Sequence, residues 1–236
     1  MKKIGISMIA LGLVLLTSVV SLAEPRDIQA GCDCSSDCHP RCWQGFYLGV
    51  NGGLSHHSSD WTDIDYDWFG STMTLSDNSW TAGGTIGYNI QHSNTVFGIE
   101  ADWNGTGNHR LYNYSEGEGN VDITNDLDWF GTVRARAGGL ALDHSLFYLT
   151  GGIAYGNTTQ SWIQDADPSD SWSSLGGSRF GWVVGVGFEH ARTSRITIKS
   201  EFLYMNFADR TSTNDYGYRL IVDDGMVVAR LGLNFR

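Results

Sequence analysis

Four groups of side chains in this chain carry atoms able to do chemistry. Cys32, Cys34, Cys38 and Cys42 fall as C-x-C-x3-C-x3-C, with Asp33, Asp37 and His39 among them. Thiolates and an imidazole at that density could capture a soft metal, but the spacing matches no standard zinc pattern. In an exported segment thiols oxidise, so two disulfides are the expected state, with connectivity left open apart from a strained Cys32–Cys34 ring. Asp63, Asp65 and Asp67 in "DIDYDW" suggest calcium, yet an EF-hand loop needs Gly at its sixth position and Glu at its twelfth. Trp68 and Thr74 stand there, so these read as solvated loop carboxylates. His56, His57 and His109 have Ser55, Ser58 and Ser59 close by in sequence. No hydrolase motif surrounds them, and no catalytic residue, metal or cofactor is assigned. The fourth group is Arg134 and Arg136, one residue apart in "DWFGTVRARAGGLAL". Such a pair could grip phosphate, hold carboxylates, or sit in solvent, and the elements around it decide which.

The elements begin with a leader. Met1-Lys2-Lys3 is a basic n-region, Ile4 to Val20 an apolar h-region, and Ser21-Leu22-Ala23 a small-residue cleavage site before Glu24. Residues 1–23 therefore read as a secretory signal peptide, cleaved near Ala23-Glu24; the apolar stretch is short for a membrane span. Cys32 lies well past it, behind Gln29-Ala30-Gly31, and is no lipid-attachment site. Without the leader, 13 basic residues face 26 acidic ones, a net charge of −13. That acidity excludes nucleic acid as a partner, because phosphate binding needs a basic surface. Thirty glycines, only three prolines and 29 aromatic residues favour β structure over disorder.

From Gln44 onward apolar residues recur at every second position, the period of a strand with one apolar face. Eight strands are expected, near 44–56, 79–91, 95–106, 128–142, 145–157, 179–191, 195–207 and 225–236. On the fourth, Val133, Ala135 and Ala137 form the apolar face; the opposite face of each strand is small and polar, with a few charges. Those charges keep to one side. Glu100 and Asp102 share a parity, as do Asp128, Arg134 and Arg136, then Arg179 and Glu189, Lys199 and Glu201, and Arg230 and Arg236.

Connections alternate between tight turns (92–94, 143–145, 191–195) and long loops (57–78, 107–127, 158–178, 208–224). Trp80, Trp103, Trp129, Tyr155, Trp182 and Tyr204 lie at the long-loop ends of their strands. Tyr88, Phe97, Phe147, Phe188 and Phe235 lie at the short-turn ends. Two aromatic girdles suit two lipid–water interfaces. Eight strand steps from Trp80 to Tyr88, tilted by roughly 40°, cover about 20 Å. The expected fold is all-β: an eight-stranded antiparallel up-and-down transmembrane barrel with short periplasmic turns and four long extracellular loops. A soluble sandwich would carry more charge on its polar face, and a lipocalin-like binder would put its apolar face inside. The four loops hold 16 acidic and three basic residues, an acidic crown that should attract cations or basic partners.

"WQGFYLGVNGG" (43–53), "TAGGTIGYNIQ" (81–91), "VFGIEADWNGTG" (96–107), "WFGTVRARAGG" (129–139), "LFYLTGGIAYG" (146–156), "GWVVGVGFEHA" (181–191) and "ARLGLNF" (229–235) resemble the outer-membrane immunogenic-protein, or porin-family, β-barrels. These are related to OmpA-like and opacity-type surface barrels. The resemblance covers residues 43–235, with "WFGTVRAR" and "GIEADW" its most specific segments. It implies eight strands, the cell outer membrane of a Gram-negative envelope, and an envelope-integrity or surface-antigen role, with no catalytic residues to carry over. It also implies lipid, lipopolysaccharide and the β-barrel assembly machinery as partners, with a host or surface ligand through the loops. Two features depart from the family: Phe235 is followed by Arg236, and residues 24–43 form a cysteine-rich periplasmic segment before the barrel of 44–236.

An eight-stranded barrel has an interior just wide enough to be filled by side chains. Its charges must then pair, because a lone buried charge is costly. Glu100, Asp102, Glu189 and Glu201 supply four negatives; Arg134, Arg136, Lys199 and Arg230 supply four positives. A mutually neutralising lumen network is the expectation, making the barrel a plugged scaffold rather than a small porin.

Overall fold

The computed structural model describes residues 42–63, 72–107, 111–116, 119–141, 144–164, 172–173, 177–213 and 219–236. The leader, Cys32, Cys34, Cys38, His39, Asp65, Asp67 and His109 lie outside them. Among the described residues ten strands follow in chain order: β1 (Gly45–Asp63), β2 (Thr72–His92), β3 (Thr95–Thr106), β4 (Leu111–Glu116), β5 (Gly119–Leu140), β6 (Ser145–Gln164), β7 (Trp172–Ser173), β8 (Gly177–Ala191), β9 (Ile196–Thr213) and β10 (Arg219–Phe235). Eight of them close on themselves in the order β5-β3-β2-β1-β10-β9-β8-β6, with β6 paired back onto β5. The first and last staves are zipped antiparallel from Leu48↔Phe235 to Asp63↔Leu220. Closure pairs each of these eight staves on both sides, so the ring they form has no open edge, which lipid would not tolerate. The short β4 and β7 pair with the projecting ends of β5 and β6.

The staves are longer than the alternation predicts. β2 starts at Thr72 rather than 79, β6 runs to Gln164 rather than 157, and β9 reaches Thr213 rather than 207. Much of the four expected loops is therefore hydrogen-bonded ladder. The reason is physical: alternation marks only the stretch where one face meets an apolar medium, whereas backbone pairing needs only a partner strand. At the other end the connections are tight. Ser93 takes φ 53° in the two-residue β2–β3 turn, the left-handed backbone that such hairpins require.

The register places charged side chains inward and the apolar stripe outward. Arg134 stands opposite Glu100 on β3 and Gly152 on β6, while Val133 stands opposite Ala101 and Ile153. One expected parity fails. A bulge between Leu127 and Trp129 breaks the β5–β6 register. Leu127 and Phe130 both face inward and are buried, while Asp128 is half-buried and accepts a bond from Asn157 Nδ2 (3.0 Å). An extra residue in one strand flips the face on which its neighbours fall. Asp128 therefore stays out of the network containing Arg134 and Arg136.

Candidate functional site

The interior is stacked in tiers. At the centre, Glu100, Asp102 and Glu201 interlock with Arg134, Lys199 and Arg230, all six buried. Arg134 bonds Glu100 and reaches Asp102 (2.9 Å) through Nη2, and Glu201 (3.1 Å) through Nη1. Arg230 donates to Glu201 from Nε (2.8 Å) and to Asp102 from Nη2 (2.9 Å). Lys199 Nζ lies 3.0 Å from both oxygens of Glu100 and 3.3 Å from Glu201. Six staves contribute once tyrosines are counted, because Tyr47 on β1 donates to Glu100 (2.7 Å) and Tyr148 on β6 donates to Glu201 (2.9 Å). The guanidinium fork explains why arginine rather than lysine fills most of the cation positions: each one grips carboxylates from different strands at once.

Toward the short-turn end, Arg136 donates to Glu189 (3.1 Å) and Asn89 (2.9 Å), and Arg236 reaches Glu189 from the other side (3.3 Å). Arg136 lies between two aromatic faces, 4.8 Å from the Tyr47 centroid and 5.0 Å from that of Tyr148. Each tyrosine in turn lies across a glycine of the next strand, Tyr47 over Gly87 and Tyr148 over Gly187, where any Cβ would occupy the ring's place. Below this tier, Trp43, Val96, Leu146, Tyr148 and Ala191 form an apolar floor.

Sequence reasoning missed three parts of the interior. The inward face is not uniformly small and polar. Above the charges lies an apolar tier that includes Phe130, Leu203, Met205, Phe207, Met226 and Val228, all buried. Alternation hides such residues, because an apolar side chain inside an apolar-outside strand reads only as a locally continuous apolar run. Near the long-loop mouth a second ion pair joins Arg179 to Asp224, with His57 Nε2 3.4 Å from Asp224. Tyr47 and Tyr148 had a usable signal: both sit on the face opposite the apolar stripe of their strands.

Residues 39–235 match the model of the outer membrane protein β-barrel domain. The chain belongs to that family. It is 31% identical over 204 residues to the 31 kDa outer-membrane immunogenic protein of Brucella melitensis, covering 82% of this chain and 83% of that protein. It is 30% identical over 196 residues to the 22 kDa outer membrane protein of Rhizobium leguminosarum, covering 82% and 78%. The outer membrane protein OprG of Pseudomonas aeruginosa aligns with a TM-score of 0.46 and 14% identity, over 82% of this chain and 97% of that one.

The outer-membrane barrel turns its apolar stripe to lipid. Leu48, Ile99, Val133, Leu149 and Ile153 are exposed, as that surround requires. Upper-girdle rings stack side by side: Trp103–Trp129 (6.4 Å), Trp129–Tyr155 (5.4 Å) and Trp182–Tyr204 (5.4 Å), with Trp80 exposed. At the periplasmic end Phe97, Phe147 and Phe235 are exposed and Tyr88 is half-buried against Phe46 (4.6 Å). Phe188 departs from expectation. It is only 1% exposed, packed against Phe147 at 4.6 Å, so it does not present a free ring to the interface. Phe46 and Phe180, exposed at girdle level, were not singled out in the sequence.

Cys42 is disulfide-bonded. Folded outer-membrane barrel recovered from the oxidising envelope should therefore show no alkylatable thiol at Cys42 before reduction and one afterwards. Modification of Cys42 in the unreduced, folded protein would contradict this.

Proposed function

We propose that this outer-membrane barrel is a non-conducting structural scaffold of the cell envelope that carries surface-exposed loops as antigen or adhesive contact. The observation that carries the reading is the cross-section at Arg134. Its guanidinium spans from the β3 carboxylates to Glu201 on β9, with Arg230 and Lys199 closing the remaining gaps. Apolar clusters flank those charges above and below, so an ion entering would have to shed water against buried side chains. The Brucella relatives are named outer-membrane immunogenic proteins, which supports a surface role for the acidic loops of this chain. Lipopolysaccharide around the upper girdle, the β-barrel assembly machinery during insertion and a basic host or surface ligand at the loops are the partners of this reading. Export by the leader and removal of residues 1–23 belong to it, and catalysis does not.

Planar-bilayer recording on folded, heat-modifiable protein tests the lumen. No stable unitary conductance is expected. A large, persistent channel would overturn the scaffold reading and establish the small porin in its place.

A further inference from the structure

A groove of about 460 Å³ interrupts the lipid-facing surface toward its periplasmic end. Ala137 on β5, Phe147 and Leu149 on β6 and Val186 on β8 stand around it, over a floor of backbone at Gly138 and Gly187. Two features of the sequence open it. Ala137, opposite Leu149 in the register, contributes only a methyl group. Phe188, opposite Phe147, lies against that ring at 4.6 Å and is 1% exposed, so it does not rise into lipid as its place in the alternation requires.

Where β8 ends, the surface turns basic. Arg192 follows Ala191, the last residue of the strand, and Arg195 closes the same turn; both are exposed. Arg195 stands on the β10 side, where its carbonyl accepts a bond from Arg236 N (3.0 Å) beside the α-carboxylate of Arg236. Arg192 is therefore the guanidinium on the groove side, and among the described residues no carboxylate pairs with it. From Val186 to Ala191 is five strand steps. At roughly 3.3 Å per step and roughly 40° of tilt these cover about 13 Å along the membrane normal, close to half of a hydrocarbon core of about 30 Å. A lipid whose phosphate sits at Arg192 would pass the groove with the middle of an acyl chain.

We propose that the groove and Arg192 together bind one anionic phospholipid of the periplasmic leaflet, an acyl chain in the groove and the phosphate at the guanidinium. Apolar surface alone does not hold a particular lipid, because neighbouring tails are as apolar as leucine. Selection needs shape and charge. The groove supplies shape: its floor and walls surround a chain with close contacts that a flat strand face cannot make. The turn supplies charge, and a guanidinium fork meets two phosphate oxygens at once. This site rests on the barrel's place in the membrane and not on the scaffold reading.

Native mass spectrometry of the folded barrel in detergent tests it, with phosphatidylglycerol or phosphatidylcholine of identical chains titrated in. One phosphatidylglycerol adduct should saturate first, held about fivefold more tightly than phosphatidylcholine. Arg192→Gln should bring the two lipids to parity. Ala137→Phe fills the groove and should weaken both about tenfold. Ala82→Phe is the control, on an exposed lipid-facing position opposite Gly52 and Gly105, and should leave both unchanged. Heat-modifiability confirms that each variant is folded, and Ala137→Leu replaces Ala137→Phe if the larger ring prevents folding. A ladder of adducts with no first saturating step overturns the proposal, as does an equal effect of Ala137→Phe and Ala82→Phe. A lipid-free dimer that Ala137→Phe dissociates would overturn it in favour of a second copy of this chain.

Discussion

Replacing Arg134 with alanine should destabilise the barrel more than any other single change at the charged tiers. Its guanidinium serves Glu100, Asp102 and Glu201 together. Truncation leaves three buried carboxylates facing Arg230 and Lys199, with Arg136 3.6 Å from Glu100. Breaking a buried pair by removing one partner costs about 3–5 kcal/mol, because the remaining charge stays desolvated. For a domain of this size that corresponds to a drop in the heat-unfolding midpoint of roughly 10 °C. A semi-native gel run over a temperature series reads it directly. The double variant Arg134→Ala with Glu201→Gln should recover part of the loss, since the stranded charge goes with its partner. An Arg134→Ala barrel with the wild-type midpoint would mean that the network is not what holds the staves.

Gly187→Ala is expected to have the second largest effect. A Cβ at Gly187 would occupy the position of the Tyr148 ring, whose hydroxyl holds Glu201 and whose face covers Arg136. The ring is buried, so it cannot swing into solvent. Overpacking of this kind costs about 1–3 kcal/mol, before the lost tyrosine–carboxylate bond is counted. Gly151→Ala on the paired strand is the control. Its Cβ would meet Val183 O at 3.5 Å and Val184 Cγ1 at 3.8 Å, ordinary contacts, so its unfolding midpoint should match wild type within about 1 °C. Equal effects of the two substitutions would show that generic strand propensity, not the tyrosine seat, governs these glycines.

The lipid-facing half of the fold was legible because lipid imposes a simple rule. Val133, Ala135 and Ala137 had to face the apolar medium, and period two then forced Arg134 and Arg136 inward. The same rule identified Glu100, Asp102, Glu189, Lys199, Glu201 and Arg230 as lumen residues. It says nothing about depth within the lumen, so it could not separate the central tier around Arg134 from the periplasmic one around Glu189. It also fails where an interior position is itself apolar. Leu203, Met205 and Phe207 therefore passed unnoticed on the strand face opposite Phe202 and Tyr204. Ladder length was underestimated for a related reason, since above the membrane both strand faces meet water and alternation fades while pairing continues.

By itself the sequence determined the barrel, the direction in which each charge points and the membrane it crosses. Those follow from local alternation, from aromatics spaced to an apolar slab, and from the cost of a charge facing lipid. Only the tertiary structure decided which charges meet. Arg134 finds Glu201 across the lumen from a strand 67 residues away, and Arg230 finds Asp102 at a separation of 128. Stave order, stagger and closure set those distances, and they depend on how eight strands twist around a common axis. The seat of Tyr148 on Gly187 and the turn of Arg236 toward Glu189 and Trp43 belong to the same class: contacts between strands, absent from the pattern along any one of them.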